Sequence, residues 1–156
     1  MNELAALLSI NAVYRQPYNP GFGEEHIIIC GHVHDLEKLE RFLKELYHPD
    51  KGMLGERDVR ILVLSPVEPS PEMRRLITSG PFDERVTYLM GSALSIEDLQ
   101  KARADVASAV VFLCNAIDGG EEGAKLDDAA NVLRTLSVTN FNPNVECLVQ
   151  VSSSLK

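Results

Sequence analysis

Five short runs rich in Val, Ile and Leu recur along the chain, and a stretch with helical spacing follows each of the first four. The runs fall at 26–30, 59–64, 85–90, 108–114 and 145–151, and the helical stretches at 35–47, 71–79, 96–103 and 124–139. A strand that is apolar in succession, as in Ile27–Ile28–Ile29, has to be buried on both faces rather than on one. Strands of that kind joined by helices pair in parallel, because a parallel crossover needs a helix-sized connection. Such crossovers are nearly always right-handed. The pattern therefore predicts an α/β fold: a Rossmann-like, doubly wound parallel sheet of about five strands in the order 3-2-1-4-5, with helices on both faces.

Local signals agree with this division. Ser70–Pro71–Glu72 supplies a cap, a proline at the first helical position and an acid in the first turn. Ser95 with Asp98 three residues on resembles a capping box. Asn140 and Pro143 close the stretch that begins at 124. Ahead of the first strand, residues 2–10 read as a short helix with Leu4, Leu7 and Leu8 on one stripe, too short to be stable alone. Residues 11–25 carry Pro17, Asn19, Pro20, Gly21 and Gly23, the chemistry of a linker. The expected organisation is a helix and linker over 1–25 and a folded core over 26–156.

Size and charge narrow the function. At 156 residues the chain amounts to one domain with its own core. A net charge of −8 argues against nucleic acid, since phosphate binding requires a cationic face. No apolar run approaches the roughly 18 residues of a membrane span, and no signal peptide is expected. Cys30, Cys114 and Cys147 each sit in or at the end of an apolar strand, which predicts buried free thiols rather than a metal set.

The turn after the first strand bears on cofactors. A dinucleotide site needs three glycines there, so that backbone can approach a pyrophosphate at the helix N-terminus. This turn reads Gly31–His32–Val33–His34–Asp35 and keeps only the first glycine. Asp35 would put negative charge where phosphate should sit. The second strand ends in Ser65–Pro66, where a ribose-binding acid is expected. No NAD is expected on these grounds. His32 and His34 lack a third ligand nearby and read as a loop or helix-capping pair.

His48–Pro49–Asp50 follows the first helix of the core and reads as a helix-ending turn. The sharper reading makes Asp50 an oxygen ligand for Ca²⁺, although a cation taking about six to eight oxygens needs groups from elsewhere. Segment 115–128 gathers Asp118, Glu121, Glu122, Asp127 and Asp128 among glycines, without the order of an EF-hand. It predicts a solvated loop that supplies acids to the next helix. No Gly-x-Ser-x-Gly elbow is present, and Ser92 and Ser95 have no evident base, so no catalytic residue is assigned.

Several segments fall in register with a known family. They are Ile27 to Gly31, Phe42–Leu43–Lys44–Glu45, His48–Pro49–Asp50, Arg85–Val86–Thr87–Tyr88, Gly91–Ser92–Ala93–Leu94, Asp98–Leu99, Asp128–Ala129–Ala130–Asn131 and Asn140–Phe141–Asn142–Pro143. Together they resemble the first RCK domain (regulator of K⁺ conductance) of Slo-family potassium channels, from Glu3 to Gln150. The resemblance implies a cytosolic gating-ring domain in a homotetrameric membrane channel, paired with a second RCK domain and tied to the pore through residues 1–25. Met1 would then lie inside a longer chain. It also implies that ligand binding expands the ring and the linker pulls on the gate.

On the same resemblance, Asp50 matches an aspartate of the first Ca²⁺ site of BK-type members, and His48 matches a histidine implicated in proton sensing. The acidic pair of a low-affinity Mg²⁺ site falls at Arg60 and Thr87, so that site is expected to be lost. Arg85 to Leu94 resembles the sodium-activated branch equally, which leaves Ca²⁺ and Na⁺ as alternatives. The competing readings are a fragment of a dinucleotide-dependent oxidoreductase and a Rossmann-type interaction domain with no ligand. The fragment by itself is expected to assemble weakly or not at all.

Overall fold

The computed structural model describes residues 3–31, 35–51, 58–114 and 120–150. Its elements run α1 (Glu3–Val13), β1 (His26–Cys30), α2 (Leu36–Leu46), β2 (Arg60–Ser65), α3 (Pro71–Ile77), β3 (Val86–Met90), α4 (Ile96–Lys101), β4 (Ala109–Phe112), α5 (Gly120–Phe141) and β5 (Glu146–Val149). All five strands are parallel, in the order β3-β2-β1-β4-β5. This is the predicted doubly wound sheet.

The consecutive apolar residues of the strands divide between two cores because neighbouring side chains point to opposite faces. Ile27, Ile29, Ile61 and Val63 pack with Leu39 and Leu43 of α2 and with Met73 and Ile77 of α3. Ile28, Cys30, Leu62, Leu64, Val110 and Phe112 pack on the other face with Leu99 of α4 and Val138 of α5. Each face thus carries one half of the winding.

Two boundaries differ from the sequence reading by three residues or more. Helix α1 runs on to Val13, three residues beyond its expected end. Helix α5 begins at Gly120, so the expected acidic loop is helical from there on. Glycines placed early in the stretch suggested a loop, but they lie in the first turns of a 22-residue helix whose later turns pack on the sheet. Residues 115–119 of that loop, with Asp118, lie outside the described residues, as do His32, Val33 and His34.

The caps form as the sequence indicates. Ser70 Oγ accepts from the Met73 amide at 3.1 Å, with Pro71 at the first helical position. Ser95 Oγ accepts from the Asp98 amide at 3.3 Å. Asp98 does not return the bond to Ser95, as a full capping box would. Its Oδ2 accepts instead from the Ser92 amide at 2.9 Å and so fixes the loop between β3 and α4.

The linker wraps the sheet rather than hanging free. Met90 N–H at the end of edge strand β3 donates to the Tyr14 carbonyl at 2.7 Å. The Tyr14 ring meets Tyr88 edge-on at 5.8 Å on the α2–α3 face. Four residues later, Tyr18 packs on the α4–α5 face, and its amide donates to the Lys101 carbonyl at 2.8 Å. This strap therefore passes from one face to the other around β3.

Candidate functional site

In an open parallel sheet the ligand position lies outside the carboxyl ends of the strands, where the winding reverses. Here that point lies between β1 and β4. Gly31 ends β1 with φ of +128°, a conformation that side chains rarely adopt, and a Cβ there would meet the Leu113 carbonyl oxygen at 3.4 Å. The first glycine of the turn is thus retained for a backbone reason that needs no nucleotide.

Beyond it, Asp35 caps α2: its Oδ1 accepts from the Lys38 amide at 3.0 Å. A carboxylate therefore occupies the helix end where a dinucleotide would place phosphate. Ser65, at the position of the ribose-binding acid, is fully buried. Beside this edge lies an apolar groove of about 360 Å³, lined by Phe42, Val111, Leu113, Leu148 and Val149 with Lys38 and Gln150.

His48 and Asp50 come together just past α2. Pro49–Lys51 forms a single 3₁₀ turn, and the Asp50 amide donates to His48 Nδ1 at 3.2 Å. Asp50 Oδ2 lies 3.8 Å from the same nitrogen, and its side chain is 90% exposed. One carboxylate on an open turn is a single ligand. Among the described residues, no group of three or more His, Cys, Asp or Glu side chains stands in metal-binding array.

The positions matched to a Mg²⁺ site carry different chemistry. The Arg60 guanidinium is 3.4 Å from Glu24 and 3.3 Å from Asp58, and it also donates to the Glu84 carbonyl. It joins the linker to the starts of β2 and β3, while Thr87 lies exposed on β3.

None of the three cysteines is in a disulfide; Cys30 and Cys114 are buried as expected, whereas Cys147 on edge strand β5 is only partly buried. Burial pushes Cys30 up to about 12, which keeps it a neutral packing residue. Cys114 Sγ lies 3.1 Å from Asp127 Oδ2. Asp127, read from sequence as a loop acid, is thereby turned toward the end of β4.

Sequence reasoning passed over His26. It falls at the head of the run expected at 26–30, and its ring is completely buried. Nε2 donates to the Ala102 carbonyl at 3.1 Å, and the Tyr18 ring lies 4.9 Å away. The reason lies in how α4 ends. Arg103 takes a left-handed φ of +54°, and the Ala104 and Arg103 amides bond back to Leu99 and Gln100. That closure leaves the Lys101 and Ala102 carbonyls for outside donors, and Tyr18 and His26 supply them. A histidine opening a buried strand, eight residues after a tyrosine in a linker, was the available signal.

A family model for the calcium-activated potassium channel slowpoke-like RCK domain matches residues 22–149. The chain belongs to the Slo-like RCK domain family. Rat potassium channel subfamily U member 1 is 27% identical to this RCK domain over 152 residues, 97% of the chain but 13% of that protein. The human SLO3 gating ring superposes with a TM-score of 0.63 at 20% identity, over 84% of this chain and 20% of that one. A GsuK channel bound to NAD superposes at 0.55 with 16% identity, over 98% of this chain and 23% of that one. At these identities the two structures share the fold with this RCK domain. The nucleotide belongs to the GsuK channel.

Proposed function

We propose that this RCK domain is a cytosolic, ligand-sensing part of the gating ring of an ion-activated potassium channel, with no catalytic role of its own. It works beside a second RCK domain in a homotetramer, with residues 1–25 as the tether to the pore. The observation that carries this reading is the family match over 22–149 on a sheet of order 3-2-1-4-5. Among the described residues no helix is long and apolar enough to cross a membrane, so the membrane part is assigned to the rest of the channel.

Asp50 contributes one oxygen to a Ca²⁺ site completed from outside this segment, with Na⁺ the alternative ligand. Its exposed carboxylate is open to such partners. His48 modulates that site. In its neutral form Nδ1 accepts the Asp50 amide, and protonation would remove that acceptor and set a positive charge 3.8 Å from Asp50 Oδ2. A nearby cation and a bound metal ion compete for the same carboxylate. One ion bound tenfold tighter in the open state supplies about 1.4 kcal/mol, so several subunits have to act together to move a ring.

The oxidoreductase alternative is disfavoured by Asp35 at the α2 N-terminus and by Ser65 at the end of β2. No NAD is assigned to this chain.

The test is calorimetry of Ca²⁺ and of Na⁺ on a protein carrying both tandem RCK domains, alongside Asp50→Ala. Weaker Ca²⁺ binding in the variant supports the assignment. Unchanged Ca²⁺ affinity removes Asp50 from the site, and heat from Na⁺ alone selects the alternative ion.

A further inference from the structure

The buried ring of His26 closes the end of α4 with one nitrogen and leaves the other without a partner. Its Nε2 is satisfied by the Ala102 carbonyl, which fixes the neutral ring with its proton on that nitrogen. Its Nδ1 is buried and has no hydrogen-bond partner. A second proton would create a buried donor without an acceptor, inside a charged ring packed on Tyr18.

The charged groups around the ring do not relieve this. On the turn after α4, Arg103 and Asp105 face His26 but are locked to each other by two hydrogen bonds of 3.0 and 3.1 Å. Lys101 lies 4.0 Å from Asp98. On β2, Arg60 holds the neighbouring register position and is paired with Glu24 of the strap and with Asp58. Glu24 also accepts from the Gly21 amide at 2.8 Å. Asn142 spends its side-chain amide on the Ala104 and Asp105 carbonyls.

The strap has few other holds on this face. Its contacts there include the Tyr18 amide on Lys101, the Tyr18 ring on His26, the Glu24–Arg60 pair, and the Arg60 amide donating to the Glu25 carbonyl at 2.9 Å where the strap runs into β1. The two made by Tyr18 involve His26 itself or the helix end to which His26 is bonded.

We propose that His26 is a pH-operated latch: the neutral ring holds Tyr18 against the sheet, and the protonated ring expels it and frees the strap around residues 18–25. The direction follows from linkage. Burial is the largest influence on the ring and, with the Arg103 charge, holds its pKa below the ordinary 6.5, against the smaller opposite effects of the Ala102 and Arg103 carbonyls and of Asp105. Above 6.5 both docked and released rings are neutral and docking carries no penalty. As pH falls below that value the released ring takes the proton first, and the docked state loses ground by up to about tenfold per pH unit until the docked ring titrates as well. Under the gating role proposed above, the strap is the tether and acid would slacken it. The latch is a property of this chain and stands or falls without that reading.

The experiment is amide hydrogen exchange on the 156-residue chain from about pH 7.5 to about pH 5.5, each rate divided by its intrinsic rate at that pH. Protection of the Tyr18 amide is expected to fall by up to about tenfold across that range, while the Leu62 amide at the sheet centre keeps its protection. In His26→Phe the Tyr18 protection is expected to become independent of pH. A Tyr18 amide whose protection is flat in the unsubstituted protein overturns the proposal, as does one whose loss survives in His26→Phe. The ring of His26 is followed by NMR in the unsubstituted protein, so that misfolding of the variant leaves a second readout. Its midpoint has to lie below 6.5, and the loss of protection has to begin near 6.5 and level off at that midpoint. A midpoint at or above that value rules the latch out.

Discussion

β1 and β5 are both short, apolar and parallel, and they end in opposite surroundings. All five residues of β1 are buried, and its Ile28, Ile29 and Cys30 are wholly inaccessible. In β5, Leu148 is 50% and Val149 41% exposed. The composition of the two strands does not account for this. β1 has a strand on each side and a helix on each face, whereas β5 is bonded only to β4. Position in the sheet therefore decides what an apolar residue is worth. The opposite edge makes the same point, since β3 is closed off by the strap through Tyr14.

The largest break in this contrast should come from the centre. Ile28→Ala removes a fully buried side chain between two strands and should cost about 3–4 kcal/mol, seen as a fall in urea midpoint with an unchanged slope. A loss below about 1 kcal/mol would mean that the centre is no better packed than the edge.

Gly31→Ala keeps the core but forces a side chain into a left-handed φ close to the Leu113 carbonyl, and should cost roughly 1–3 kcal/mol by the same measurement. Stability unchanged within error would show that this turn can relax, and that the lone glycine answers some other need.

Asp98→Ala should cost about 1–2 kcal/mol, because it leaves the partly buried Ser92 amide without its charged acceptor. Asp98→Asn, which keeps an acceptor oxygen, should recover part of that loss.

Leu148→Ala, on the open edge, should change stability by no more than about 0.5 kcal/mol. A much larger effect would mean that β5 is covered in solution, and sedimentation at two concentrations would show whether a second copy covers it.

Much of the fold was legible because consecutive Val, Ile and Leu residues specify burial on both faces, and helix caps such as Ser70–Pro71 and Ser95 act over three residues. Gly31 and Asp35 were likewise readable as departures from a dinucleotide turn, since both act through local backbone geometry. The acidic stretch was misread at residues 120–123, ahead of the helix expected from 124, because packing of the later turns of α5 carries the helix back through Gly120 and Gly123. Asp98 was read as half of a capping box, and its second bond went to Ser92, a choice set by the path of the loop.

The sequence by itself determined the parallel sheet, its order and the helix caps. These follow from short-range periodicity and from the narrow set of right-handed connections. Only the tertiary structure decided that the linker becomes a strap, that Arg60 ties it to the strands, and that His26 is buried against Tyr18 with one nitrogen unsatisfied. Tyr18 and His26 meet because α4 ends in a left-handed residue and leaves two carbonyls open, a geometry fixed some 76 residues further along the chain.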